Sequence, residues 1–270
     1  MTASDKIFSE NIPAIYEKYL VPMIFEPYAQ EIAARVAALE PANVLEIAAG
    51  TGVLTRAMAA RLDPQVQVIA TDLNQPMLDI AMARQTADDR FGWKQADALA
   101  LPFDDQSFDA VACQFGVMFF PDKVKGFSEV RRVLATGGRY VFSVWDRLAA
   151  NEFVSVTSEA LAELFPDDPP RFMERTPHGY HDIDAIARDM KAAGFSSPHI
   201  ETVECESAAA SALDAATGYC QGNPLRGEIE ARAPGRLEEI TGKVAEALQA
   251  RFGQGPITGR IRAHIVTALR

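Results

Sequence analysis

The chain has 270 residues, 48% of them hydrophobic and 23% charged, which is typical of one large folded α/β domain or two small ones. Its formal net charge of −11 argues against a nucleic-acid surface, because phosphate binding requires clustered lysine and arginine. The only adjacent basic pair, Arg131-Arg132, is interpreted as a solvated or helix-end pair. Three cysteines without metal-site spacing favour a reduced, cytoplasmic protein. We expect no signal peptide, because no positively charged N-terminal segment precedes an apolar stretch. We expect no membrane span, because no apolar run is long enough to cross a bilayer.

Residues 11–39 are predicted to form two helices that are broken near Pro22. Apolar side chains recur at helical spacing in the second of them, at Ile24, Tyr28, Ile32, Val36 and Leu39. This repeat predicts a helix face that packs on a sheet.

The most informative stretch is a predicted strand followed at once by a turn of small residues. Residues 44–47 form a short apolar run of the kind expected for a buried strand, and Ala-Ala-Gly-Thr-Gly follows at residues 48–52. Small residues let a ligand approach the backbone closely, and a helix predicted from about Val53 adds free N–H groups. A second apolar run, residues 67–71, ends in Asp72. This layout is typical of a nucleoside site in which the carboxylate accepts both ribose hydroxyls.

Two cofactors fit this layout, a nicotinamide dinucleotide and S-adenosylmethionine (SAM). A dinucleotide turn requires G-x-G-x-x-G, whereas Gly50 and Gly52 are followed here by Val, Leu and Thr. Glu46, inside the end of the first strand, would repel a pyrophosphate but attract the sulfonium and ammonium groups of SAM. The stretch resembles motif I of class I SAM-dependent methyltransferases, acid-x-G-x-G-x-G, with Ala48 in place of the first glycine. The resemblance implies that Glu46, Ala48, Gly50 and Gly52 bind the cofactor.

Later segments continue this resemblance. Residues 91–97 are predicted to form a third strand that ends in Asp97, and the acid at this position of the family accepts a hydrogen bond from the adenine amino group. An exposed loop acid is the alternative. Met77 is predicted either to lie against the adenine ring or to pack in the core. The other residues that the resemblance assigns to the cofactor are Leu73, Ala98, Gln114 and Phe115.

The fourth predicted strand, residues 110–113, opens into Gln-Phe-Gly. Methyltransferases that act on nucleobase amines or Gln side chains carry Asn/Asp-Pro-Pro-Tyr/Phe here, so we reject those substrates. A helix over residues 122–134 and a strand over residues 139–145 follow, and Arg-Arg-Val-Leu-x-x-Gly-Gly-Arg between them again resembles the family. The resemblance covers residues 16–145 and is to the small-molecule methyltransferases of ubiquinone and menaquinone biosynthesis.

The remainder of the chain is predicted from periodicity alone. Helices are predicted over residues 151–165, before Gly194, near residues 211–220 and over residues 236–252, with a loop at residues 166–177. Strands are predicted at residues 200–205 and 260–269, and the second matches the antiparallel seventh strand of methyltransferases.

These elements predict an α/β fold with a doubly wound, seven-stranded, mostly parallel sheet, the Rossmann-like methyltransferase fold. Helical additions are expected at the N-terminus and in the C-terminal half. The predicted organisation is a single domain over residues 1–270 with a cofactor core at residues 40–146. Helical insertions on the substrate side are predicted at residues 147–180 and 206–258.

The predicted function is methyl transfer from SAM, with S-adenosylhomocysteine as product, to an O, N or C atom of a small molecule by in-line displacement. Such chemistry depends mainly on alignment and needs a general base only if the acceptor must lose a proton. His178 and His181 have the residue type for that base, although a structural or solvated role is the alternative. No metal-ligand spacing is visible, which argues against Mg²⁺-dependent chemistry.

Substrate contacts are predicted for a set of aromatic and histidine side chains, with core packing as the alternative. They are Tyr16, Tyr19, Phe119, His178, Tyr180 and Tyr219. No nucleic-acid partner and no membrane span are expected, and the prediction allows a homodimer. Two other functions stay open from sequence: an NAD(P)-dependent Rossmann oxidoreductase, and a SAM-binding regulatory protein without catalysis.

Overall fold

The computed structural model describes residues 12–270, so Asn11, the first residue of the first predicted helix, lies outside the described residues. The α-helices of the described range are α1 (Ile12–Ile15), α2 (Glu26–Ala37), α3 (Val53–Ala59), α4 (Gln75–Arg84), α5 (Lys123–Val133), α6 (Glu152–Leu164), α7 (Phe172–Arg175), α8 (Ile183–Ala192), α9 (Ala212–Gln221), α10 (Leu225–Arg232) and α11 (Leu237–Phe252). The strands are β1 (Asn43–Ile47), β2 (Gln67–Asp72), β3 (Phe91–Gln95), β4 (Phe108–Gln114), β5 (Leu134–Trp145), β6 (Ser196–Ala209) and β7 (Ile257–Leu269). A π-helix covers Tyr16–Phe25, and 3₁₀ turns cover Val117–Phe119 and Leu148–Ala150.

The seven strands form one sheet in the order β3-β2-β1-β4-β5-β7-β6. The first five strands pair in parallel, and β7 runs antiparallel to β5. The predicted fold class is therefore confirmed, including the antiparallel seventh strand. Strand order reverses between β1 and β4, and ligands of such sheets bind at the carboxyl ends of the strands beside this point.

The central strands are buried along their length. Val44 and Leu45 of β1 and Ala110 and Val111 of β4 have no exposed surface. Strands that are covered on both faces carry continuous apolar runs, which is why these two strands could be located from sequence.

The predicted break at Pro22 is wrong. Pro22 lies inside the π-helix Tyr16–Phe25, which continues directly into α2. The Glu26 N–H donates to Val21 O, five residues back, as in a π turn. Proline lacks a backbone donor and its ring crowds the preceding turn, and we attribute the wider π geometry to the accommodation of both effects.

Two helices escape the sequence prediction. α7 lies within the predicted loop at residues 166–177, and α10 is not predicted at all. The buried residues of α10 are Leu225 and Ile229, and two apolar positions are too few to establish a helical period.

The chain divides into two compact units. The first comprises residues 28–145, 180–203 and 263–270 and contains β1 to β5. The second comprises the described residues up to Pro27 together with residues 146–179 and 204–262. Across residues 12–270, no helix combines the length and the apolar character that crossing a membrane requires.

Candidate functional site

The turn after β1 is bent by three residues with left-handed backbone. The φ angle is +56° at Ala48, +57° at Gly50 and +82° at Gly52. Glycine adopts this region freely, whereas an L-residue is disfavoured there by about 1–2 kcal/mol. The Ala49 N–H donates to Thr71 O at 2.9 Å, and the Gly52 N–H donates to Ala49 O at 2.9 Å. The turn is thus tied both to itself and to β2.

Asp72 lies at the end of β2 and is 7% exposed. Its Oδ2 accepts the Gly50 N–H at 2.8 Å, and its Oδ1 accepts the Asn74 N–H at 2.8 Å. Burial raises the pKa of Asp72, and the N–H groups of Asn74 and Gly50 oppose this shift. The structure therefore brings together the glycine turn and the second-strand acid.

Glu46 is buried inside the end of β1. Its Oε2 accepts the Thr55 hydroxyl at 2.6 Å, and its backbone O accepts the Thr71 hydroxyl at 2.9 Å. Burial raises the pKa of Glu46 to about 8, against the opposing effects of the Thr55 hydrogen bond and the Arg56 charge. The carboxyl consequently holds its proton at pH 7, and a cation placed beside it would favour the ionised form.

Thr51 supplies a test of whether a ligand suits this turn. Its side chain is 1% exposed, and its Oγ1 has no hydrogen-bond partner within residues 12–270. A buried hydroxyl without a partner costs about 1–3 kcal/mol. A ligand that brings an acceptor to this turn would remove that cost, and the carboxylate of an adenosyl amino acid such as SAM is an acceptor of this kind.

The residues assigned to adenine follow β2 and β3. The Ala96 N–H donates to the backbone O of Asp72 at 2.9 Å. The residue next to Asp97 is therefore bonded directly to Asp72. Asp97 and Leu73 are exposed, whereas Met77 is buried. Leu73 therefore offers an accessible apolar surface here, and Met77 does not.

The end of β4 carries an aromatic cluster. The Phe115 backbone is left-handed, with φ at +51°, and its N–H donates to Ser143 O at 3.2 Å. Its ring stacks on Trp145, with ring centroids 3.8 Å apart and planes 5° apart, and Tyr28 meets both rings edge-on. These contacts fix the backbone that follows Gln114, where the strand order reverses.

Gly116 is a residue of this site that the sequence analysis did not single out. A Cβ atom on Gly116 would lie 2.4 Å from Ala48 Cβ and 2.8 Å from Cys113 Sγ. Its own φ of −99° is open to any residue, so space rather than backbone conformation requires glycine here. Burial raises the pKa of the Cys113 thiol to about 12, which fits a packing role and not a nucleophile.

The predicted substrate contacts are divided between the two units. Phe119 and Tyr180 belong to the unit that contains Asp72, and the others belong to the second unit, namely Tyr16, Tyr19, His178 and Tyr219. Tyr180 donates its hydroxyl to Asp189 at 2.8 Å, and the Lys123 ammonium lies 4.9 Å from its ring centroid.

In the second unit, the ring of Tyr16 lies 4.9 Å from that of Phe25, and Tyr219 is buried. His178 is also buried, and its Nδ1 lies 2.8 Å from Asp146 O. A carbonyl can only accept, so Nδ1 carries the proton of the neutral ring. Among residues 12–270, no group of three or more His, Cys, Asp or Glu side chains is arranged to hold a metal ion.

Comparison with known sequences identifies relatives of this chain. A family profile described as "Methyltransferase domain" matches residues 44–138. A demethylmenaquinone methyltransferase of Clavibacter sepedonicus is 32% identical over 60% of this chain and 69% of its own length. A demethylmenaquinone methyltransferase of Deinococcus radiodurans is 38% identical over 46% of this chain and 52% of its own. The matched region thus spans about two thirds of one relative and about half of the other.

Comparison with solved structures addresses the fold. The YcgJ protein of Bacillus subtilis superposes with a TM-score of 0.57 over 90% of this chain and 98% of its own, at 18% identity. At that identity the likeness establishes only the architecture, which agrees with the strand order above. The family follows from the sequence matches, and the matched profile covers the glycine turn and Asp72. The chain belongs to the class I SAM-dependent methyltransferases.

Proposed function

We propose that this protein transfers a methyl group from SAM to a small-molecule acceptor and releases S-adenosylhomocysteine. The observation that carries the proposal is the 2.8 Å hydrogen bond from the Gly50 N–H to Asp72 Oδ2. It couples the turn assigned to the amino-acid part of SAM to the carboxylate assigned to the ribose. The turn argues against a dinucleotide, because Gly50 and Gly52 are not followed by the third glycine of G-x-G-x-x-G.

Each part of SAM has a counterpart among residues of the first unit. Asp72 would accept from the ribose hydroxyls and Asp97 from the adenine amino group, with the exposed side chain of Leu73 against the ring. The Thr51 hydroxyl would donate to the carboxylate of the ligand. Glu46 would ionise beside the cationic groups, because a buried carboxyl with a pKa of about 8 responds strongly to a nearby positive charge.

Bound SAM supplies a methyl group on a cationic sulfonium, which an acceptor atom attacks in line. The residues of the chain contribute alignment of the two reactants and exclusion of water. The stacked rings of Phe115 and Trp145 are buried and hold the ends of β4 and β5 rigidly, which supports that alignment.

For the acceptor, we propose a quinone-type aromatic molecule as the first candidate. Its support is the similarity to two relatives named demethylmenaquinone methyltransferases. Residues 113–116 read Cys-Gln-Phe-Gly and lack the Pro-Pro pair that grips planar amines. We further propose that the helical insertions at residues 147–180 and 206–258 recognise the acceptor. The side chains to substitute first are His178 and Tyr219 in these insertions, together with Tyr16 and Tyr19 near the N-terminus.

An acceptor that must lose a proton requires a base, and His178 is our candidate. The contact of 2.8 Å between its Nδ1 and Asp146 O orients the ring. A cytoplasmic location and a homodimer stay predictions.

Isothermal titration with S-adenosylhomocysteine and with NADH tests the cofactor. We expect binding of the first and none of the second, and the reverse result would favour an oxidoreductase. Transfer of labelled methyl from SAM is then measured on demethylmenaquinone in oxidised and reduced form, and on phenol, amine and carboxylate libraries. Product binding without transfer to any acceptor would favour a regulatory SAM-binding protein.

A further inference from the structure

The segment between β3 and β4, residues 96–107, has no regular secondary structure, yet it carries Asp97. Regular strands and helices satisfy their own backbone groups, whereas an irregular segment needs partners from elsewhere. Two side chains of the neighbouring helix α5 supply them. They are Glu129 and Arg132, and the second belongs to the adjacent basic pair.

Arg132 is bonded to this segment at three points. Its Nη1 donates to Phe103 O at 2.7 Å and to Asp105 Oδ1 at 2.9 Å, and its Nη2 donates to Leu101 O at 2.9 Å. Glu129 Oε2 accepts the Leu101 N–H at 2.9 Å. Both polar backbone groups of Leu101 are therefore held by α5.

The two side chains also hold each other. Arg132 Nε lies 2.9 Å from Glu129 Oε1, and Arg132 Nη2 lies 2.8 Å from Glu129 Oε2. The hydrogen bond from Arg132 is the largest of the effects that lower the pKa of Glu129. A planar guanidinium can serve a carboxylate on one edge and carbonyls on the other, which a lysine ammonium cannot do.

The residues that are hydrogen-bonded to Glu129 and Arg132 are close in sequence to Asp97. The Leu99 N–H donates to Asp97 Oδ1 at 2.9 Å, and the Ala100 N–H donates to Asp97 O at 3.0 Å. Asp97 thus lies in a tight turn that is preceded by β3 and followed by Leu101, which is hydrogen-bonded to α5. The direction of the Asp97 carboxylate therefore depends on the position of that turn.

We propose that Glu129 and Arg132 are positioning residues for adenine recognition, acting through the turn at Asp97. The proposal rests on the proposed function, in which Asp97 accepts from the adenine amino group. A purely structural role for the pair would change stability without changing how the protein distinguishes ligands at the amino group.

The test measures a ligand preference by isothermal titration. S-adenosylhomocysteine is compared with S-inosylhomocysteine, which carries a carbonyl where adenine has its amino group. A hydrogen bond to a carboxylate should give the unmodified protein a preference of roughly tenfold or more for the adenosyl ligand. We expect Asp97→Ala to abolish this preference, and Arg132→Ala and Glu129→Gln to remove most of it.

Arg131→Ala is the matched control, because Arg131 is on the same helix but donates to Gly194 O at 3.0 Å. It should keep the full preference. Circular dichroism confirms folding, and Glu129→Gln decides the question if Arg132→Ala does not fold. A preference that survives in the folded Arg132 or Glu129 variants, but not in Asp97→Ala, overturns the positioning role. A preference that survives in Asp97→Ala instead refutes the adenine assignment in the proposed function.

Discussion

Ala48 and Gly116 form a steric pair, and exchanging them offers a direct test of how this chain tolerates its departure from motif I. Ala48 has a left-handed backbone, and its methyl group occupies the space that a Cβ on Gly116 would need. We interpret Gly116 as the residue that makes room for the alanine. The perturbations are Ala48→Gly, Gly116→Ala and the two together.

The magnitudes follow from the geometry. Ala48→Gly removes a left-handed penalty of about 1–2 kcal/mol but adds the backbone entropy of glycine, about 0.5–1 kcal/mol, so a small stabilisation is expected. Gly116→Ala places a Cβ 2.4 Å from Ala48 Cβ and 2.8 Å from Cys113 Sγ. Overpacking of this kind costs about 1–3 kcal/mol. In the double variant the first contact disappears and the second remains, so roughly half of the cost should be recovered.

The assay is urea and thermal unfolding of the four proteins, together with titration of S-adenosylhomocysteine. One kcal/mol corresponds to about 2–4 °C in Tm for chains near this size, so the effects are measurable. Adding Cys113→Ala to the double variant should restore most of the remaining loss, because it removes the second contact. We also expect Gly116→Ala to weaken ligand binding more than Ala48→Gly does, since it pushes the turn out of place.

Equal destabilisation by Gly116→Ala in the unmodified protein and in the Ala48→Gly variant would refute this reasoning. Residues in direct contact must show an interaction energy in such a cycle, and independent residues do not.

Three further predictions concern individual side chains. Asp72→Ala should weaken the binding of S-adenosylhomocysteine by about 1–3 kcal/mol in titration, and unchanged affinity would contradict the ribose assignment. Burial raises the pKa of Glu46 from 4.5 to about 8, so the folded chain keeps a proton that the unfolded chain releases. Its contribution to stability is therefore present below pH 4.5 and is lost as the pH rises to 8, and Glu46→Gln should flatten that part of the pH dependence of Tm. Iodoacetamide at about pH 8 should modify Cys205 before Cys113 and Cys220, as read by mass spectrometry, because burial raises the pKa of both of the latter to about 12.

The parts of the fold that could be predicted from sequence are those in which one local rule dominates. The apolar run at residues 44–47 and the small residues after it have few structural alternatives, and β1 and its turn lie where predicted. Pro76 likewise lies in the first turn of α4, where proline is locally preferred. Pro22 obeyed no such rule, because a π turn accommodated it within a longer helix.

The parts of the site that escaped prediction depend on contacts between residues distant in sequence. Gly116 reads as an ordinary glycine after a strand until Ala48 is placed beside it. From sequence, Arg132 is interpreted as a helix-end cation. In the structure it donates to Leu101 O and Phe103 O, and sequence alone does not show that this segment lies beside α5. The departure at Ala48 was the one visible signal, since a side chain in a glycine position requires compensation somewhere in the fold.

The residues that bind the cofactor can be predicted from sequence, whereas the residues that recognise the acceptor cannot. Every class I methyltransferase binds the same cofactor, so its ribose and amino-acid groups impose one set of residue types on β1, β2 and the turns that follow. Acceptors differ between members, and helices that enclose them need only apolar faces of the right shape, for which many sequences serve. In the second unit, the Gln221 amide of α9 donates to the Thr241 hydroxyl of α11, and the Asn223 amide donates to Tyr219 O at the end of α9. Because we propose that this unit recognises the acceptor, substitutions in it should change the acceptor KM while leaving the affinity for S-adenosylhomocysteine intact.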